Sequence, residues 1–242
     1  MTTKYRINVP LRTLKAALQV AAAKDIRYYL NGVLVLAWVN ETRCVATDGH
    51  MLAAMRVEQG NDVPTGNAPV ELITPRDVLD GIKATATQVQ ATACVLEGPD
   101  ESGRWTLQVG ASEMRVFAPV EGRFPEYSRV VPSQVTGEVV QVNPALLARM
   151  AACIETLNGK NKSGKSIDMH LHHNGGEGAK GPGRSVLVTS KHNNFVGVIM
   201  AVHGDLGVGV EGTGWVRHAP DRPAPKKEPA ANESAQAEAL AA

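Results

Sequence analysis

Ile7–Leu18 reads INVPLRTLKAAL, Leu72–Ile82 reads LITPRDVLDGI and Val140–Met150 reads VQVNPALLARM. Each stretch passes from a short apolar strand pattern through a proline into a helical pattern. Pro10, Pro75 and Pro144 stand 65 and 69 residues apart. Proline suits a first helical turn, because its φ is preset and its missing N–H has no intrahelical partner there. Beyond each proline, apolar residues recur at helical spacing: Leu11, Leu14 and Leu18; Val78, Leu79 and Ile82; Leu147, Met150 and Ile154. Strand-like stretches rich in β-branched residues then follow: GVLVLAWV, TRCVAT and MLAAMRV; TACVLEG, RWTLQVG and EMRVFAPV; SIDMHLH, RSVLVTS and VGVIMAV. The unit is β-α-β-β-β, about 65–70 residues long and used three times. It predicts an α+β fold.

The composition agrees with a folded core. Of 242 residues, 43% are hydrophobic and 4% aromatic, so core volume must come from aliphatic side chains and methionine. Lys and Arg total 25 against 24 Asp and Glu, a net charge of +1. That excludes a polycation held to nucleic acid by bulk charge and leaves room for a local basic surface. Cys44, Cys94 and Cys153 are far apart, without CxxC spacing, which points to a reducing compartment and no structural zinc. No stretch approaches the ~20 apolar residues of a membrane span. The N-terminal MTTKYRINVP lacks the apolar run of a secretory signal. The expected location is the cytoplasm. Leu157–Lys165 and Asn174–Arg184 read as loops, and residues 206–242 as a Pro/Ala/Glu-rich disordered tail.

Three blocks carry a family resemblance: Asp25–Gly32 (DIRYYLNG), Val45–Leu52 (VATDGHML) and Glu121–Val130 (EGRFPEYSRV). In order and spacing they resemble the bacterial DNA polymerase III beta subunit family, the replication sliding clamps. The resemblance is strong over Ile7–Pro132. It implies a DNA clamp fold whose domains each pair two β-α-β-β-β units, with helices lining a hole for duplex DNA. Three units then make one full clamp domain, 1–132, resembling the second domain of the family. Residues 133–205 make a reduced domain resembling part of the third.

The resemblance implies a hydrophobic pocket that docks partner peptides. Its positions are Leu30, Thr47, Gly49, His50, Met51, Leu52, Pro125, Arg129 and Val130, with Met51 standing where the family usually has arginine. If the third unit matches the end of the family's last domain, Asn143, Leu146, Val198, Ile199, Met200 and Ala201 line the pocket's other side. Matching it to the first half of that domain removes these six. The resemblance also places Lys24, Tyr28 and Tyr29 near the DNA contacts, and Tyr28 and Tyr29 read as strand residues pointing to opposite faces. Helix faces add Arg12, Lys15, Arg76, Lys83 and Arg149 as phosphate partners. Asp77, Asp80 and Glu155 share those faces, so the expected DNA affinity is weak.

Two further signals are set aside. Gly159–Ser166 (GKNKSGKS) satisfies the phosphate-loop pattern, but a helix precedes it and a strand follows, the reverse of the order that such a loop needs. His170 and His172 share a strand face without a third ligand nearby. The reading is a non-catalytic processivity or tethering factor of DNA replication or repair, accessory to a polymerase. It needs no cofactor and no metal. Expected partners are double-stranded DNA, a polymerase and other proteins bearing clamp-binding motifs, a clamp loader and further copies of the chain, with no membrane. The alternative is a non-encircling clamp-like module that competes for or sequesters the same peptides.

Overall fold

The computed structural model describes residues 4–159, 169–176, 184–191 and 194–202. The phosphate-loop lysines and the 206–242 tail lie outside the described residues. The first unit is β1 (Tyr5–Pro10), α1 (Leu11–Val20), β2 (Gly32–Trp38), β3 (Glu41–Thr47) and β4 (Met51–Val57). The second is β5 (Val70–Pro75), α2 (Arg76–Gly81), α3 (Ala86–Ala91), β6 (Ala93–Gly98), β7 (Trp105–Val109) and β8 (Glu113–Phe117). The third is α4 (Pro144–Asn158), β9 (Met169–Asn174), β10 (Ser185–Ser190) and β11 (Phe195–Met200). The α+β class is as the sequence predicts.

Two details differ from the repeat. The second unit's helix breaks after Gly81, and a fresh helix starts at Thr85. Thr85 and Gln88 form a reciprocal capping box, which satisfies orphan N–H groups at that new start. The third unit has no leading strand among its described residues. The segment before α4 makes single bonds instead of a ladder: Gly137 N–H donates to His173 O, and Gln141 O accepts from Val202 N–H.

The strands form two antiparallel sheets. One has the order β1-β6-β7-β8, the other β5-β2-β3-β4-β11-β10-β9. The first and third units therefore share a sheet, joined where β4 meets β11 with Leu52 opposite Val198. Ala46, Ala53 and Gly197 lie side by side across β3, β4 and β11, all buried. This row of small side chains lets a helix approach closely. Met150 of α4 fills the space left by the absent Cβ of Gly197. Only Arg12 and Gln19 of α1 are exposed, with Lys15 half-buried, a narrow polar stripe on an otherwise buried helix.

Residues alternate between the two faces of the large sheet. Val33, Val35, Ala46, Ala53 and Ile199 join the core beneath the helices. Leu34, Leu36, Val45, Leu52 and Val198 point the other way, where Phe124 and residues 120–131 strap across them. Burial pushes the thiols of Cys44, Cys94 and Cys153 up to about 12. Thiolate is the reactive form. The native protein should therefore leave Ellman's reagent unreacted at pH 8, and all three thiols should titrate once guanidinium unfolds it. Among the described residues no helix is long and apolar enough to cross a membrane.

Candidate functional site

A small apolar cavity of about 190 Å³ opens on the strapped face of the large sheet. Four segments line it. Arg27 and Leu30 come from the loop after α1; Thr47, Gly49, Met51 and Leu52 from the β3–β4 turn; Pro125, Glu126, Tyr127 and Val130 from the strap; Val198 and Met200 from β11.

Side-chain hydrogen bonds fix two of the walls. Asn31 closes the loop after α1 by accepting from Asp25 N–H at 2.9 Å and donating to Asp25 O at 2.8 Å. In the β3–β4 turn, the Thr47 hydroxyl donates to Met51 O at 2.7 Å and accepts from Gly49 N–H at 3.1 Å. Asp48 Oδ1 accepts from His50 N–H at 2.9 Å and Met51 N–H at 3.0 Å. Gly49 has φ of 90°, and a Cβ there would sit 2.8 Å from the Arg27 guanidinium. The positive φ demands glycine there, and any side chain would also displace the Arg27 guanidinium. Arg27 in turn holds both oxygens of Asp25 and donates to Asp48 O at 3.2 Å.

The Arg27 hydrogen bonds hold the Asp25 carboxyl down to about 2, below its ordinary 3.8. A carboxylate with a depressed folded value contributes stability above the unfolded value, here 3.8, and loses it as pH falls toward 2. The carboxyl carbon shift of Asp25 should titrate with a midpoint near 2, and Arg27→Met should return it toward 3.8.

Of the pocket positions expected from the resemblance, Leu30, Thr47, Gly49, Met51, Leu52, Pro125, Val130, Val198 and Met200 line this cavity. The other six do not, each for a visible reason. His50 is exposed and takes part through its carbonyl, which accepts from Met200 N–H. Arg129 is exposed on the strap, outside the cavity. Ile199 and Ala201 alternate away from Val198 and Met200, into the core beneath the helices. Asn143 is spent capping α4, where its Oδ1 accepts from Ala145 N–H at 2.9 Å. Leu146 packs against that same helix-side core. Three lining residues were not singled out: Arg27, Glu126 and Tyr127. All lie inside the quoted blocks DIRYYLNG and EGRFPEYSRV, which were the signal for them.

The positions expected at DNA are dispersed. Tyr28 and Tyr29 sit in a single 3₁₀ turn, Tyr28–Leu30, and not in a strand. They pack edge to face at 5.8 Å, Tyr28 exposed and Tyr29 half-buried. Lys24 is exposed, with φ of 59°. Arg12 and Lys83 are exposed, each with a long bond to a carbonyl, Gln90 O at 3.3 Å and Asp80 O at 3.4 Å. Lys15 is drawn inward instead, donating to Leu79 O at 2.6 Å and Ile82 O at 2.9 Å. Its burial lowers its pKa. Arg149 is likewise committed, to carbonyls at the end of α1 and to Asp48. His172 Nε2 shares a hydrogen bond with Thr189 Oγ1 at 3.0 Å. No group of three metal-ligating side chains occurs among the described residues.

No family model matches the chain. Individual proteins do. A beta sliding clamp from Proteus mirabilis is 33% identical over 151 residues, covering 57% of this chain and 37% of that protein. One from Haemophilus influenzae is 32% identical over 174 residues, covering 68% and 42%. The chain thus spans about two fifths of the curated relatives it matches. Among solved structures, the DNA polymerase III subunit beta from Pseudomonas aeruginosa superimposes with a TM-score of 0.52 at 18% identity, covering 82% of this chain and 66% of the other. A putative DNA polymerase III beta subunit from Eubacterium rectale gives a TM-score of 0.55 at 14% identity, with the same coverage. The fold is the sliding-clamp fold.

Proposed function

From this kinship with the bacterial beta sliding clamps, in sequence and in fold, we propose that the chain is a non-catalytic clamp-like factor of DNA replication or repair, docking partner peptides in the apolar cavity. The observation that carries the reading is convergence. Four separated segments meet around one apolar space, two of them held by side-chain hydrogen bonds. A preformed apolar cleft with a few polar groups at its rim is what binding a short peptide needs. Its volume suits roughly one large apolar side chain, an anchor of the kind that dominates small interfaces. The repeat supports a division into a clamp domain at 1–132 and a reduced domain at 133–205. Duplex DNA, a polymerase, a clamp loader and further copies of the chain are the proposed partners.

Fluorescence polarisation with a labelled Ser-Leu-Leu-Phe peptide tests the docking. Saturable binding competed by unlabelled peptide is expected; none at millimolar protein would refute it. Retention on circular but not linear duplex DNA tests encirclement.

A second reading, a module that captures such peptides without encircling DNA, is favoured by one observation. Lys15, Arg76, Arg115 and Arg149, on or beside the helices, spend their donors on backbone carbonyls. Charges spent in this way neutralise few phosphates. Molar mass by sedimentation, with and without circular DNA, separates the two: a closed oligomer retained on the circle supports the first, and a DNA-indifferent monomer supports the second.

A further inference from the structure

Arg149 belongs to α4 of the third unit, yet its side chain ends at the first. Its Nε donates to Gln19 O at 3.1 Å and its Nη2 to Val20 O at 3.2 Å, capping the end of α1. Its Nη1 pairs with Asp48 Oδ2. The Asp48 side chain is 13% exposed, so this pair is shielded more than an ordinary surface ion pair. Asp48 uses its other oxygen to hold the amides of His50 and Met51, and its carbonyl accepts from Arg27. One carboxylate thus divides its two oxygens between the turn that walls the cavity and an arginine from a distant helix. Neither Asp48 nor Arg149 lines the cavity.

We infer that Arg149 is a positioning residue for the cavity: through Asp48 it sets the turn Thr47–Met51, so the seating of the third unit governs whether the pocket is competent. The inference rests on the peptide-docking reading. The third unit then acts twice. It supplies Val198 and Met200 as one wall, and by Arg149 it orients the adjoining one, whose His50 carbonyl accepts from Met200 N–H. Without the guanidinium, Asp48 Oδ2 faces solvent and its carboxylate can swing away from the two amides. The turn then samples conformations in which Gly49 and Met51 leave their places, and binding must restore them.

The test uses the full chain and the same labelled peptide. Arg149→Met removes the ion pair and the α1 cap together. Asp48→Asn keeps an oxygen for the two amides and leaves the α1 cap untouched, but removes the charge that Arg149 reads. Each variant is expected to bind the peptide about tenfold more weakly, the loss of one charge-assisted contact. The double variant should be no weaker than Arg149→Met alone, because both changes cut one link. The His50 and Met51 amides should exchange with deuterium faster in Arg149→Met than in the parent, a readout that does not depend on peptide. Losses that multiply in the double variant, or Asp48→Asn binding like the parent, would overturn the inference while leaving the pocket reading intact. A parent chain that fails to bind the peptide overturns the pocket reading and this inference with it.

Discussion

Met200→Asp should abolish peptide capture and leave the fold standing. Met200 lines the cavity mouth and is only half-buried, so a carboxylate there reaches water in the free protein. Its backbone N–H bond to His50 O does not depend on the side chain. A docked peptide changes that. An apolar side chain entering the cavity gains about 1.5–3 kcal/mol from burial, and it must now desolvate an unpaired charge at a penalty of similar or larger size. The two effects together remove at least about 3 kcal/mol, two decades of affinity. Polarisation should show at least a hundredfold rise in Kd, with thermal unfolding shifted by only a few degrees. Affinity within threefold of the parent would mean that peptide does not use this wall.

Gly197→Val should strongly destabilise the third unit. An added Cβ would stand 2.7 Å from Met150 Sδ and 2.8 Å from its Cε, with Phe195 Cζ at 3.2 Å. Met150 is fully buried, so its flexible end has nowhere to retreat. Overpacking of this kind costs about 1–3 kcal/mol, and the two further methyls of valine put the change at the upper end. Urea denaturation should show a loss of about 3 kcal/mol, with the midpoint displaced accordingly. Met150→Ala alone should also destabilise, by about 2–5 kcal/mol, through the cavity it leaves. Together the two should lose at least 1 kcal/mol less than their sum, because the alanine makes room for the valine. Strictly additive losses would show that this contact does not set the seat of α4.

Much of the fold was legible because its signals are local. Pro10, Pro75 and Pro144 mark helix starts by their own backbone geometry, and the strands after them announce themselves by β-branched content. The break between α2 and α3 was legible too, in the Thr85–Gln88 capping pair, and was passed over. The cavity was legible where a motif block carried it, as at Leu30, Thr47 and Leu52. At residues 198–201 the sequence alone left the wall open: Val198 and Met200 reach the cavity, while Ile199 and Ala201 turn to the core beneath the helices. Arg149 illustrates what a linear reading misses. Its helical position marks it as a surface cation. Only the packing of α4 against α1 reveals that it lands on Asp48, some hundred residues earlier in the chain.

The junction of β4 with β11 also sets an order of events during synthesis. β4 is complete at Val57, but the strand that covers its open edge begins at Phe195. At the usual ~5–20 residues per second, a ribosome needs about 7–28 s to make the intervening chain. For that interval the nascent first unit carries a bare strand edge flanked by Met51, Leu52 and Met55, a template for pairing with any neighbouring chain. Polysomes crowd such edges together. Yield of soluble protein should therefore depend on how fast translation reaches β11, and on chaperones that shield β4 until it does.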